Sequence, residues 1–201
     1  MESRTVILAN GEFPRKGGTA WRLLAAARRV VCCDGAADAY RRHFAKCPTV
    51  VVGDFDSISD TSCRCTLVVS PDQETNDLEK AIAYCAMRGW REPVIVGATG
   101  KREDHTLGNV FRALDCGCEI VTDLGRFVPV CGKATLKVRK GAAVSVFAPD
   151  PKTRMTSKEL KWPLAPVKFR NLYCATLNRA TASRVTLTTT KPVSVFIEER
   201  K

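Results

Sequence analysis

The stretch VVVGDFDS, from Val50 to Ser57, places an acid-rich turn directly after a short run of β-branched residues. Three further apolar runs are followed by turns of the same kind: Val30–Cys33, Leu67–Val69 and Val94–Val96. Continuous β-branched runs of this length predict strands buried on both faces, as in a parallel sheet. We therefore expect a parallel α/β arrangement in this part of the chain.

Carboxylates follow each of these runs, and all of them should lie at one rim of the sheet. In open α/β sheets, ligands bind beyond the carboxyl ends of the strands. Carboxylates at one edge repel one another unless a cation holds them, and Mg²⁺ prefers oxygen ligands and phosphates. The pattern predicts an enzyme that binds Mg²⁺ and phosphates through some of the residues Asp34, Asp54, Asp56, Asp77 and Asp104.

The spacing of apolar residues predicts a helix after each of several strands. Apolar residues recur at helical spacing after Asp77 and again after Asp104, and a helix over 19–29 would end in arginines that suit its macrodipole. From about residue 126 onward only strand-like runs with Gly or Pro between them occur. The predicted fold class is an N-terminal parallel-sheet α/β domain, residues 1–125, followed by a C-terminal all-β, sandwich-like domain, residues 126–201.

Composition narrows the class of protein. The chain has 201 residues, 45% of them hydrophobic, and a formal net charge of +11. No apolar stretch approaches the roughly 20 residues that span a bilayer, and no signal-peptide pattern opens the chain, so we expect a cytoplasmic protein without a membrane partner. The ten cysteines form no CxxC pair, which argues against structural zinc. The positive charge fits an anionic substrate, nucleic acid or a solvated basic surface, and we favour the last because no RNA-stacking motif occurs.

Several of these residues also have simple structural interpretations. Asp54 and Asp56 could form an Asx turn, and Asn76 with Glu79 resembles a capping box that would explain the neighbouring Asp77. His105 could be a general base or a hydrogen-bonded residue at a helix start. Gly97 and Gly100 would let a loop approach phosphates at the N-terminus of the next helix, where Lys101 and Arg102 add positive charge.

The order of the motifs is more informative than any one of them. CDGAAD (Cys33–Asp38), GDFDS (Gly53–Ser57), DQETND (Asp72–Asp77) and GATGKREDHTLGN (Gly97–Asn109) together resemble the thiamine pyrophosphokinases, especially the bacterial branch. In the β half, ELKWPL (Glu159–Leu164) is similar to that family's GLKW segment, and ATLNRA (Ala175–Ala180) to its TSN segment. The resemblance covers nearly the whole chain.

The resemblance implies a homodimeric enzyme that uses Mg²⁺ and moves the pyrophosphoryl group of ATP onto thiamine. It implies that Asp54, Asp56 and Asp77 hold Mg²⁺ and the phosphates, beside Asp34. Gln73, Arg102 and Asp104 would contact the triphosphate or place the attacking hydroxyl, and Gly97, Gly100 and His105 would lie in the nucleotide site. Trp162 would stack on thiamine from the partner subunit, with Asn178 near the same pocket, although an isolated tryptophan is also a common packing residue.

The chain departs from the family pattern at four positions: Asn76 stands for Thr, Lys101 for Gly, Glu159 for the Gly of GLKW, and Leu177 for the Ser of TSN. None of these changes removes a carboxylate. The alternatives are a related phosphoryl or pyrophosphoryl transferase that acts on another alcohol, or a non-catalytic module that binds nucleotide or RNA.

Overall fold

A computed structural model of the chain describes residues 4–54, 64–69 and 75–199. The first part of the chain alternates strands and helices, and the described residues after 124 form strands and turns without a helix. The predicted fold class, an α/β half followed by an all-β half, is therefore confirmed.

The first half is built on a parallel sheet. Its elements are β1 (Thr5–Leu8), α1 (Thr19–Ala26), β2 (Arg29–Cys33), α2 (Ala36–Phe44), β3 (Val50–Gly53), β4 (Thr66–Val69), α3 (Asp77–Met87), β5 (Val94–Val96), α4 (Glu103–Asp115) and β6 (Glu119–Val121). The strand order is β6-β5-β1-β2-β3-β4, and β5, β1, β2, β3 and β4 are parallel to their neighbours in this order. The carboxyl ends of these five strands therefore meet at one edge.

Burial follows the position of each strand in the sheet. Strands β1, β3 and β5 are buried along their whole length, as their β-branched runs predict. The expectation of full burial is wrong for the run Leu67–Val69, because β4 is the last strand in the sheet order and exposes Leu67 and Val69. A run of apolar residues predicts a strand but does not distinguish an edge strand from a central one.

The helix predicted over 19–29 is shorter than expected. Helix α1 ends at Ala26 and carries no basic residue in its last turn, so the proposed match of arginines to the macrodipole is wrong. Arg29 instead begins β2, and its guanidinium lies 5.0 Å from the centroid of the Trp90 ring. The extended backbone that β2 requires here ends the helix before the arginines.

The second half is an antiparallel arrangement around one long strand. Its strands are β7 (Gly125–Lys137), β8 (Ala143–Phe147), β9 (Arg154–Lys158), β10 (Val167–Lys168), β11 (Ala175–Arg179) and β12 (Arg184–Glu198). Strand β12 pairs with β7 along its length, with β8 through its C-terminal part and with β9 through its N-terminal part, and the pairing with β7 shifts register between Thr189 and Val193. Buried side chains of β7, β8, β9, β11 and β12 form a shared core.

The chain divides into two compact units. The first contains the residues up to Arg112 together with Ile120–Asp123, and the second contains Ala113–Glu119 and the residues from Leu124 onward. None of the helices formed by the described residues has the length and apolar character needed to cross a membrane. Among the cysteines that the structure describes, eight are free thiols and Cys47 is disulfide-bonded.

Candidate functional site

The predicted site residues fall into two groups, one in each unit. Asp34, Asp54, Asp77, Gly97, Gly100, Arg102, Asp104 and His105 belong to the first unit, and Trp162 and Asn178 belong to the second. Asp56 and Gln73 lie outside the described residues, so their predicted roles remain predictions. The first group follows the carboxyl ends of β2, β3 and β5 or begins α3 and α4.

Asp34 and Asp54 follow neighbouring strands whose ends pack very closely. Asp34 follows β2, is only 3% exposed, and donates its backbone N–H to the carbonyl oxygen of Val52 in β3 at 2.9 Å. Gly53, the last residue of β3, lies so close that a Cβ atom there would be 2.7 Å from the Cβ of Asp34. The glycine of the GDFDS turn therefore provides room for a buried carboxylate, and the next residue, Asp54, is exposed.

Asp77 begins α3, but it is not the residue that caps the helix. The Asn76 side chain accepts from the backbone N–H of Glu79 at 2.9 Å, and the Glu79 carboxylate accepts from the backbone N–H of Asn76 at 3.1 Å. The predicted capping box is confirmed. Asp77 is left half-buried beside Lys80, whose Nζ lies 3.6 Å from its Oδ1. Its carboxylate is therefore not needed to cap the helix.

The pKa of the buried Cys33 thiol is affected by two of the carboxylates at this edge of the sheet. Burial raises the pKa of Cys33 far above its ordinary value, and the negative charges of Asp77 and Asp34 raise it further. Both carboxylates therefore lie close enough to influence the same buried atom. The raised pKa favours the neutral form of the Cys33 thiol over the thiolate.

The loop after β5 is joined to the loop after β1 by backbone hydrogen bonds. The N–H of Gly11 donates to the carbonyl of Gly97 at 2.7 Å, and the N–H of Glu12 donates to the carbonyl of Thr99 at 2.7 Å. Gly97 and Gly100 have φ values of 66° and 94°. A Cβ atom on Gly97 would lie 2.8 Å from the carbonyl oxygen of Ala9, and one on Gly100 would lie 2.5 Å from Glu12 Oε2. Contacts within the protein thus already require both glycines, and their predicted approach to phosphates stays a prediction.

At the start of α4, Arg102 and Asp104 form a two-point ion pair. Arg102 donates from Nε to Asp104 Oδ1 at 3.1 Å and from Nη2 to Oδ2 at 2.5 Å. The hydrogen bonds from Arg102, followed by one from the backbone of His105, lower the pKa of Asp104 to about 2. Both side chains are exposed. Arg102 therefore presents its guanidinium to solvent, and Asp104 is ionised at all physiological pH values.

These elements enclose a cleft of about 370 Å³ in the first unit. It brings together Asp77, Arg102 and His105 from the predicted set. Its lining also includes residues that the sequence interpretation did not assign to the site: Ala9, Asn10, Gly11, Cys33, Asn76, Leu78, Ala98, Thr99, Thr106 and Asn109. The Asn10-Gly11 pair directly after β1 was a usable signal, since a polar turn at the end of a parallel strand reaches the same rim.

Two of the three carboxylates predicted to bind Mg²⁺ belong to the described residues at this edge of the sheet. Within residues 4–54, 64–69 and 75–199, no group of three or more His, Cys, Asp or Glu side chains is arranged to hold a metal ion. Asp56, one of the three predicted ligands, lies outside these ranges. The other two, Asp54 and Asp77, supply carboxylate oxygens, which are the ligands that Mg²⁺ prefers. The residues therefore fit this ion in chemical type.

In the second unit, Trp162 and Asn178 are in direct contact. Trp162 is 52% exposed, and Asn178 is 5% exposed. The backbone N–H of Trp162 donates to Asn178 Oδ1 at 3.1 Å, and Asn178 Nδ2 donates to the carbonyl oxygen of Trp162 at 2.7 Å. The ammonium of Lys161 lies 4.8 Å from the Trp162 ring centroid. The indole thus offers an open face that already attracts a cation.

Comparison with known proteins matches both units. Residues 20–121 match the family model for the thiamin pyrophosphokinase catalytic domain, and residues 125–196 match the model for the thiamin pyrophosphokinase substrate-binding domain. Thiamin pyrophosphokinase 1 of Caenorhabditis elegans is 31% identical over 129 residues, which are 57% of this chain and 53% of that protein. The match thus spans about half the length of that relative.

Two solved structures illustrate the similarity of fold. The thiamin pyrophosphokinase family protein from Enterococcus faecalis superposes with a TM-score of 0.81 at 17% identity, covering 99% of this chain and 100% of that one. Thiamin pyrophosphokinase from Candida albicans superposes with a TM-score of 0.79 at 14% identity, covering 98% and 90%. At these identities the likeness establishes the fold.

The close approach at Gly53 yields a stability prediction. We expect Gly53→Ala to lower the free energy of unfolding by about 1–3 kcal/mol, because the new methyl group overlaps the Asp34 side chain. The matched control is Gly108→Ala in α4, where a Cβ meets nothing within 4 Å; it should raise stability by up to about 1 kcal/mol. Urea denaturation measures both, and equal effects of the two changes would contradict the crowding at Gly53.

The ion pair yields a titration prediction. The Asp104 carboxyl should titrate with a midpoint of about 2 in the folded protein, and Arg102→Gln should return the midpoint towards the ordinary value of about 4. Because the folded pKa is depressed, the stabilisation is complete above the unfolded value and disappears as the pH falls through about 2. NMR titration of the carboxyl carbon measures the midpoint, and an ordinary wild-type value would exclude the two-point pair in solution.

Proposed function

The chain belongs to the thiamin pyrophosphokinase family, and from that premise we propose that it transfers the pyrophosphoryl group of ATP to the hydroxyl of thiamine. The products are thiamine diphosphate and AMP. The observation that carries the proposal is the match of both family domains, in order, to residues 20–121 and 125–196. The cleft of the first unit supports it, because a carboxylate and a guanidinium line the same space.

Asp54 and Asp77, with Asp56 beside Asp54 in sequence, would hold Mg²⁺. When bound, the ion neutralises charge on the triphosphate and orients it. A ligand role for Asp77 is compatible with the helix start, since Asn76 and not Asp77 caps α3. The buried Asp34 behind Gly53 places a further carboxyl group next to this rim.

Arg102 and Asp104 have complementary parts in the transfer. The thiamine hydroxyl attacks the β-phosphorus, the bond from that phosphorus to the oxygen of the α-phosphate breaks, AMP leaves with that oxygen, and the hydroxyl proton is released to solvent. The exposed guanidinium of Arg102 stabilises negative charge on the phosphoryl oxygens. Gln73 would also contact the triphosphate. Asp104, with a pKa of about 2, is a weak base, so it orients the hydroxyl as a hydrogen-bond acceptor.

The second unit would bind thiamine. The open, electron-rich face of Trp162 suits the cationic thiazolium ring, and the nearby Lys161 ammonium supports this preference for cations. We further propose that the enzyme is a cytoplasmic homodimer in which each subunit supplies Trp162 to the active site of the other. The two predicted domains, residues 1–125 and 126–201, would thus divide nucleotide binding and thiamine binding between them.

A product assay tests the proposed reaction. Purified protein with ATP, Mg²⁺ and thiamine should yield equal amounts of AMP and thiamine diphosphate. Asp54→Asn, Asp56→Asn and Asp77→Asn should each lower turnover by at least about a hundredfold, because each removes charge from the proposed metal site. Coupled detection of AMP and chromatography of thiamine esters measure both products.

The control for these changes is Asp115→Asn, which removes an exposed carboxylate at the end of α4 and should leave turnover unchanged. ADP as the sole nucleotide product would instead establish single-phosphoryl transfer. Asp77→Asn with normal turnover and a lowered melting temperature would assign Asp77 to helix stability alone.

The role of Trp162 is tested by the two Michaelis constants. Trp162→Ala should raise the thiamine KM about tenfold or more, in line with a desolvated cation-π contact of about 2 kcal/mol, and leave the ATP KM nearly unchanged. Trp162→Phe should lose less. Tyr173→Ala, at another exposed aromatic residue of the second unit, is the matched control and should change neither constant. Equal loss of both affinities in Trp162→Ala would identify Trp162 as a packing residue.

A further inference from the structure

The segment that carries Trp162 is paired with the end of β11 through a short antiparallel bridge. Leu160 lies opposite Ala180 in this bridge. The N–H of Lys161 donates to the carbonyl of Arg179 at 2.9 Å, and the N–H of Thr181 donates to the carbonyl of Glu159 at 2.8 Å. The backbone up to Lys161 is therefore held as in a strand.

At Trp162 the side chain of Asn178 continues the pattern of backbone hydrogen bonds. The carboxamide of Asn178 has a carbonyl and an N–H, as a peptide group does, and it bonds the N–H and the C=O of Trp162 together. Its Oδ1 also accepts from the N–H of Arg179 at 2.9 Å. Because Asn178 is 5% exposed, these hydrogen bonds are shielded from competing water.

An irregularity in β11 aims Asn178 at Trp162. The pairing of β11 with β8 shifts register between Ala175 and Asn178, and Leu177 within this shift has a φ of 62°. Such bulges redirect the following side chain. The Leu177 side chain is 83% exposed, so burial does not compensate for the disfavoured backbone, whose N–H is held by Ser145 Oγ at 3.2 Å.

The segment on the other side of the bridge also contains a non-glycine residue with positive φ. Glu159 has a φ of 63°, and it and Leu177 are two of the four non-glycine residues with positive φ among the described residues. Left-handed backbone at such residues persists only where the surroundings impose it. Its occurrence on both sides of one bridge indicates that the geometry around Trp162 is specified closely.

We propose that Asn178 is a positioning residue, which fixes the main chain of Trp162 and thereby presets the open indole face for the cationic ring of thiamine without touching thiamine itself. This inference rests on the proposed function and gives Asn178 a different role from direct substrate binding. Among the described residues, the hydrogen bonds of its carboxamide go to the Trp162 backbone and to its own strand. If the Trp162 ring is already held in place, less conformational entropy is lost when thiamine binds. Without this preorganisation, the thiamine KM would be higher.

The test combines kinetics with a measurement that needs no substrate. Asn178→Ala removes both hydrogen bonds between the Asn178 carboxamide and the Trp162 main chain. Asn178→Asp keeps the acceptor but loses the Nδ2 donor to the Trp162 carbonyl. In both, we expect the thiamine KM to rise about fivefold or more with the ATP KM unchanged. In the ligand-free protein, ¹⁵N relaxation of the Trp162 indole should change from rigid in the wild type to mobile in Asn178→Ala.

The control is Asn171→Ala, which removes a side-chain acceptor from the Tyr173 N–H in another turn of the same unit and should change neither readout. A raised thiamine KM with an equally rigid indole would overturn the proposal, because Asn178 would then contact thiamine directly. Unchanged kinetics and an unchanged indole would overturn it as well.

One measurement uses only the wild-type protein, so it does not depend on the variants folding. The main-chain amide of Trp162 should exchange slowly with solvent, because Asn178 Oδ1 accepts its hydrogen bond in a buried position. Rapid exchange at Trp162 would overturn the proposal. If the wild-type protein does not convert thiamine, the proposed function fails, while amide exchange and indole relaxation still decide whether Asn178 positions Trp162.

Discussion

Parallel pairing of neighbouring strands is the constraint on which the rest of the first unit depends. Because β5, β1, β2 and β3 run in the same direction, the residues that follow each strand reach the same edge. Backbone hydrogen bonds between neighbouring loops, such as that from Gly11 to Gly97, then hold this edge in shape. A polar cleft arises there although the strands themselves are almost wholly apolar.

The carboxyl groups at this edge of the sheet would repel one another if all were ionised and close together, and each lies in different surroundings. Asp34 is buried beside Gly53 and is tied to β3 through its backbone, whereas Asp104 is neutralised in the open by two hydrogen bonds from Arg102. Asp77 benefits from the positive end of α3 and from the nearby Lys80. These separate solutions allow acidic groups to share an edge, and the cations that accompany them are suited to phosphate.

In the second unit, an energetically disfavoured backbone accompanies the one exposed aromatic residue to which we assign a role. Glu159 and Leu177 stand where the family pattern has Gly and Ser, yet both have the left-handed conformation that glycine adopts most readily. The hydrogen bonds between Asn178 and Trp162 therefore form beside two residues whose side chains disfavour their backbone conformation.

The sequence by itself determined the strand runs, the alternation with helices, the capping box at Asn76 and the acid-rich turns, because these depend on neighbours within a few residues. It could not place Leu67 at an exposed edge or end α1 before its arginines, since sheet order and the start of β2 decide both. Only the tertiary structure joined Gly11 to Gly97 through a backbone hydrogen bond and turned Asn178 towards Trp162. Such contacts depend on segments far apart in the chain, whose packing no local pattern encodes.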